Sequence, residues 1–145
     1  MSLGGGIILA VNQVHHFVIT GRLQTFKRDI AIQLIELFGS HYQPFVSTNT
    51  TVLVKGFSSI DLFNVDNQSK KTIAAQQYDI TQINEEDFIL WVLYHLKHLS
   101  SNQERQFIQR MKEPLSNVFL ELDDCPDNQF ISMVIFSLEK HYPIV

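Results

Sequence analysis

Residues 16–56, HFVITGRLQTFKRDIAIQLIELFGSHYQPFVSTNTTVLVKG, decide how this chain folds. Val14 to Thr20, which runs into that stretch, is rich in β-branched and aromatic residues and reads as a strand ended by Gly21. After a short turn, Thr25 is placed to cap a helix that runs to about Phe38 and stops at Gly39. The apolar residues of that helix fall into two overlapping sets: Phe26, Ile30, Leu34 and Leu37, then Ile32 and Ile35. Together they cover more than one stripe, which predicts packing on two sides. Ala31, between them, is small enough to allow a close neighbour. Pro44 to Val46 and Val52 to Val54 read as short strands flanking the turn that starts at Ser47. A hydroxyl, a glycine amide and an arginine gathered at one strand-to-helix junction are groups that can hold a phosphate.

Working outward, Gly56 to Gln68 reads as a loop with its own hydrophobic residues, Phe57, Ile60, Leu62 and Phe63. Ser69 starts a helix through about Gln77, and Ile80 to Ile83 is a fourth strand. Asn84 caps a helix to about Leu99, whose first turn holds Glu85, Glu86 and Asp87 in favourable relation to the helix dipole. The order is βαββαβα. Strands alternating with helices predict an α/β fold with a four-stranded, largely parallel sheet flanked by helices. The remainder changes character. Asn102 to Met111 and Leu115 to Leu122 look helical, with Pro114 between them as a kink or a first-turn residue. Gln129 to His141 is a strongly apolar third helix. No internal repeat or low-complexity tract is evident. The division expected is a domain over residues 12–97 and a C-terminal helical extension over residues 98–145.

Composition narrows the function classes. At 145 residues and 45% apolar content, including eleven Phe, the chain suits one cored domain, or one domain with an extension. A single cysteine, Cys125, cannot form an internal disulfide, so a reducing cytoplasmic setting is the simplest reading. The longest N-terminal apolar run, Ile7 to Val11, is too short to span a bilayer, and no signal peptide or membrane role is expected. The opening Met-Ser-Leu and three glycines read partly as an expression scar or flexible lead-in. A formal charge of −4 argues against electrostatic coating of nucleic acid. The acidity is concentrated in the tail: seven Lys/Arg face eight Asp/Glu from Asn12 to Lys97, whereas four face seven from His98 onward.

The βαββαβα order, taken with particular residues, resembles the BRCT domain of DNA replication, repair and checkpoint proteins. The matching pieces are FVITGRL, the Arg28-Asp29 pair, FVSTNTTVLVKG, the Ser69-Lys70 pair opening the second predicted helix, and Ile83 to Phe88. The chain looks most like the single-copy modules of bacterial NAD-dependent DNA ligases and of the replication factor C large subunit. The resemblance implies a phosphate site in which Thr20 donates its hydroxyl, Gly21 its backbone N–H and Lys70 its charge. Lys71 stands in reserve for Lys70, because the register through the long loop can slip by one. In the version that binds a 5′-phosphorylated DNA end, Arg28 also takes part. The implied partner is a DNA end or a phosphorylated protein. The 48 residues after Lys97 are too few for a second copy, which argues against paired-copy phosphopeptide recognition. Against this stands a bland alternative, a protein–protein scaffold or dimerisation module in which Thr20 ends a strand, Gly21 serves a turn, and Arg28 and Lys70 are solvated.

Other residue groups carry less. Six histidines, with His15-His16 and His95-x-x-His98 the closest spacings, lack a Cys or carboxylate set to complete a tetrahedral site, so no metal is expected. Glu85-Glu86 is better explained by the helix dipole than by acid–base chemistry, and Asp123-Asp124 by a solvated loop. No Gly-rich nucleotide loop, nucleophile elbow or HExxH is present, so neither catalysis nor a cofactor is expected. Trp91 reads as core. Phe130, Ile131, Val134, Ile135 and Leu138, with Met133 and Phe136 nearby, form a wide apolar stripe. It packs on the domain or on the other tail helices, or else docks a partner or a second copy.

Overall fold

The computed structural model describes residues 9–57 and 79–141. The predicted helix from Ser69 to Gln77, with Lys70 and Lys71, lies outside the described residues, as does most of the loop before it. Four strands form one sheet: β1 His16–Thr20, β2 His41–Tyr42, β3 Val52–Lys55 and β4 Thr81–Asn84. The order across the sheet is β2-β1-β3-β4, and every neighbouring pair is parallel. Four α-helices are described: α1 Arg28–Leu37, α2 Glu85–Lys97, α3 Ser101–Ser116 and α4 Asp127–His141. The fold is the expected α/β architecture with C-terminal helices. The chain divides into two compact units, residues 1–88 and 89–145.

In the first unit, β1 sits at the centre of the sheet, and Phe17, Val18 and Ile19 are all fully buried. Strands covered on both faces read as continuous apolar runs, as FVI and VLV do here. Val18 and its register partner Leu53 pack with Ile80, and Val46 covers them. On the other face, the Phe17 ring meets Phe88 edge-on, with centroids 5.8 Å apart. Helix α1 buries Ile30, Ala31, Leu34 and Ile35, while Ile32 and Leu37 are half-buried at the margins of that stripe. It ends as the sequence indicates. Gly39 takes a left-handed conformation (φ +87°), its N–H donates to the Glu36 carbonyl, and the Ser40 N–H donates to the Ile35 carbonyl. That pair of bonds is a Schellman cap.

In this unit two local expectations need correction. Thr25 does not cap α1: the helix starts three residues later, with Lys27 at the N-cap and no side-chain cap bond. The second strand is not Pro44 to Val46 but His41–Tyr42. Pairing with β1 is made by backbone N–H groups, the His41 N–H to the His15 carbonyl and the Gln43 N–H to the Phe17 carbonyl. The chain bends at Pro44 and Phe45, so β2 ends before them. The turn that follows is closed by side chains. Thr50 Oγ1 accepts the Ser47 N–H at 2.9 Å and donates to Gln43 Oε1 at 2.6 Å, and Thr51 Oγ1 accepts the His16 N–H at 2.8 Å.

The second unit is helical. Ser100 caps α3 with a reciprocal box: its hydroxyl accepts the Gln103 N–H, and Gln103 Oε1 accepts the Ser100 N–H. Pro114 lies inside α3, so the expected break near it is displaced to Asn117. Proline forfeits one intrahelical bond, which buried Met111 and Leu115 on either side outweigh. A 3-10 turn over Leu120–Leu122 replaces the predicted helix from Leu115 to Leu122. Helix α4 buries Phe130, Val134, Ser137 and Leu138, and Phe130 meets Phe107 of α3 at a centroid distance of 6.0 Å. Trp91 is 2% exposed, a core residue as expected.

Candidate functional site

The turn after β1 is built around two glycines. Gly21 has φ +77°, and a Cβ on it would lie 2.8 Å from the Phe57 carbonyl oxygen and 2.9 Å from the Gly56 carbonyl carbon and oxygen. A Cβ on Gly56 would lie 2.6 Å from the Arg22 carbonyl oxygen. Two backbones therefore meet at a distance that no side chain permits. The contact is bonded: the Arg22 N–H donates to the Phe57 carbonyl at 2.7 Å and the Phe57 N–H to the Arg22 carbonyl at 2.8 Å. The Gly56 N–H also donates to the Thr20 carbonyl at 2.8 Å.

Arg28 returns to this turn. Its Nη2 donates to the Gly21 carbonyl at 3.0 Å, so the first residue of α1 closes the loop that precedes it. One of the five guanidinium N–H donors is spent on this anchor. The middle of the loop is held from elsewhere. Glu85, the first residue of α2, is only 8% exposed. Its carboxylate accepts the Gln24 N–H at 2.9 and 3.0 Å and the Thr25 N–H at 2.8 Å. The Thr25 backbone is thus held in the loop by a residue 60 positions away, and the helix opens after it at Arg28. Asn84, as the sequence indicates, caps α2 by accepting the Asp87 N–H at 2.8 Å.

The structure thus brings Thr20, Gly21 and Arg28 together at one junction. Lys70 and Lys71 lie outside the described residues. The placement within the sheet is informative. The connection after β1 leads to β2 on one side, and the connection after β3 leads to β4 on the other. In open α/β sheets, crevices for ligands form outside the carboxyl ends of the strands at such a switch point. Here those ends are Thr20 of β1 and Lys55 of β3, which are register partners. Sequence reading did not single out the position of Lys55 at this strand end or the clamp made by Glu85. The polar residue closing each apolar strand, HFVIT and VLVK, was the available signal for the first; the second had none.

The other residues singled out make the following contacts. Tyr94 stacks on His98 with centroids 4.2 Å apart, and His98 Nδ1 lies 2.8 Å from the Tyr94 carbonyl oxygen. The His95 ring lies edge-on to Trp91. Among the described residues no three His, Cys, Asp or Glu gather as a metal site. Cys125 is buried. The Glu121 carboxyl is held below the usual carboxylate range, first by a hydrogen bond from its own backbone N–H, then by the Lys140 charge, the Ser137 hydroxyl and the His141 charge. Among the described residues no helix is long and apolar enough to cross a membrane.

A search of curated proteins returned no match to the chain. The model of one family does match it: the BRCA1 C Terminus (BRCT) domain, over residues 11–89. That stretch contains the whole parallel sheet, α1, the Gly21 turn and the start of α2, and is more than half of the sequence; the chain belongs to the BRCT domain family.

Proposed function

We propose that this domain binds a phosphorylated target, foremost a DNA 5′ phosphate end, through Thr20, Gly21, Arg28 and Lys70. BRCT domains are interaction modules of repair and cell-cycle proteins, which bind phosphoproteins, DNA or one another and are in general not catalysts. The observation that carries the finer reading is Arg28, fixed at 3.0 Å on the Gly21 carbonyl beside the strand end that bears Thr20. A phosphate placed there takes the Thr20 hydroxyl, the Gly21 N–H and the remaining edge of the guanidinium fork, with Lys70 adding a point charge. In this reading the arginine supports a likeness to single-copy modules of the bacterial DNA ligase and replication factor C kind rather than to paired phosphopeptide readers. The working unit in this reading is residues 12–97, with residues 98–145 as a helical extension.

The test is a titration of duplex DNA with and without a 5′-phosphate, using wild type, Thr20→Ala, Arg28→Ala and Lys70→Ala. The phosphorylated end binds more tightly, and each substitution removes part of that difference. Loss of one charge-assisted hydrogen bond corresponds to roughly tenfold in affinity. Binding weakens with salt along a shallow slope, because few charges engage. Equal binding of the two duplexes would leave the protein–protein scaffold as the function.

A further inference from the structure

We propose that Lys55 is a further phosphate-binding residue, which meets the ligand together with Thr20. Strand register and pleat bring the two residues side by side. Val18 pairs with Leu53 and Thr20 with Lys55 in the parallel ladder between β1 and β3. Side chains alternate faces with a period of two, so Val18, Leu53, Thr20 and Lys55 all project from one face of the sheet. The first pair is fully buried and packs with Ile80. The second pair, one pleat further on, emerges at the carboxyl end, where Thr20 is half-buried and Lys55 exposed. Neighbouring strands lie about 4.8 Å apart, so the Thr20 hydroxyl and the Lys55 ammonium reach a common anion from adjacent anchor points.

The surroundings leave the lysine's charge to such a ligand. Its register partner on the other side is Asn84, which is neutral and whose Oδ1 accepts the Asp87 N–H. None of the ion pairs among the described residues includes Lys55. The Gly56 N–H to the Thr20 carbonyl continues the ladder beyond Lys55, so the backbone carrying the lysine is fixed against β1 rather than frayed. A cation in that place, at the switch point of the sheet, supplements the arginine that reaches the turn from α1. Arg28 and Lys55 then approach the phosphate from two different elements.

This inference rests on the phosphate reading above, and its test separates the two. Wild type, Lys55→Gln and Lys55→Arg are titrated with 5′-phosphorylated and 5′-hydroxyl duplexes across a salt series. Lys55→Gln is expected to lose roughly tenfold of the preference for the phosphorylated end. Its salt slope on that duplex falls by about one. Lys55→Arg keeps the preference. A wild type that prefers the phosphorylated end, with a Lys55→Gln variant of unchanged preference or equal losses on both duplexes, overturns the Lys55 assignment alone. A wild type that binds both duplexes equally overturns the phosphate reading and this inference with it.

Discussion

The Glu85 carboxylate accepts the Thr25 N–H at 2.8 Å, joining the first turn of α2 to the loop that leads into α1 across 60 residues of sequence. The same carboxylate holds the Gln24 N–H through both of its oxygens. At only 8% exposure its oxygens have these backbone N–H groups in place of the water they lost. The loop that presents Arg28 is thereby held at its middle, while the Arg28 anchor on Gly21 closes its ends.

Removing that carboxylate is costly. Glu85→Ala leaves two backbone N–H groups without a protein partner, and a loss of about 2–3 kcal/mol in unfolding free energy is expected. Glu85→Gln keeps one acceptor oxygen and loses about half as much. Urea unfolding of the two variants beside wild type measures this; a Glu85→Ala protein as stable as wild type would remove the clamp from the account.

The two positive-φ glycines make opposite predictions. At Gly21 an alanine meets backbone atoms at 2.8–2.9 Å as well as a left-handed φ. At Gly39 the φ is +87° but no atom lies within 4 Å of the added Cβ. Gly39→Ala therefore costs about 1 kcal/mol from conformation alone. Gly21→Ala carries strain and overpacking together and costs more than about 2 kcal/mol. Thermal unfolding of the pair gives the comparison, and equal losses would show that the backbone contact with Gly56 and Phe57 yields easily.

Acid sensitivity in the helical unit is assigned to Glu121. Its folded carboxyl is held below the ordinary value of 4.5, with the hydrogen bond from its own N–H as the largest cause. A carboxyl depressed in the folded state binds more protons when unfolded, so its contribution is fully present above 4.5 and is lost as pH falls through the lower folded value. The unfolding free energies of wild type and Glu121→Gln should differ by a full gap just above 4.5, and that gap should close as pH falls from 4.5 through the lower folded value. A gap that widens with acid would reverse the sign and contradict the assignment.

Much of this architecture is legible along the chain, and the failures share a physical cause. Gly39 and Asn84 announce helix ends because a left-handed cap and an N-cap are local chemistry. Phe17 to Ile19 and Val52 to Val54 announce strands because a doubly covered sheet demands apolar runs. Thr25 misleads because a capping residue type marks only where a helix could open, whereas this loop is held by Glu85, 60 residues on, and the helix opens at Arg28. Pro44 to Val46 misleads because apolar periodicity reports side chains, whereas β2 is defined by the N–H groups of His41 and Gln43. Pro114 looks like a boundary, yet burial of Met111 and Leu115 carries α3 past it. Thr20, Gly21 and Arg28 stand in one stretch of sequence, so the proposed phosphate site can be read there. The proposed part of Lys55 comes only from strand register, which is a property of the sheet.

The central claim is that the Gly21 turn and Arg28 recognise a terminal phosphate. It is tested most directly by two-dimensional ¹H–¹⁵N NMR of the full chain, titrated with a duplex bearing a 5′-phosphate and with the same duplex bearing a 5′-hydroxyl. The account predicts that the Gly21 backbone N–H and the Arg28 guanidinium N–H signals move with the phosphorylated duplex and stay in place with the other. Signals that stay fixed with both duplexes, or move equally with both, would contradict it.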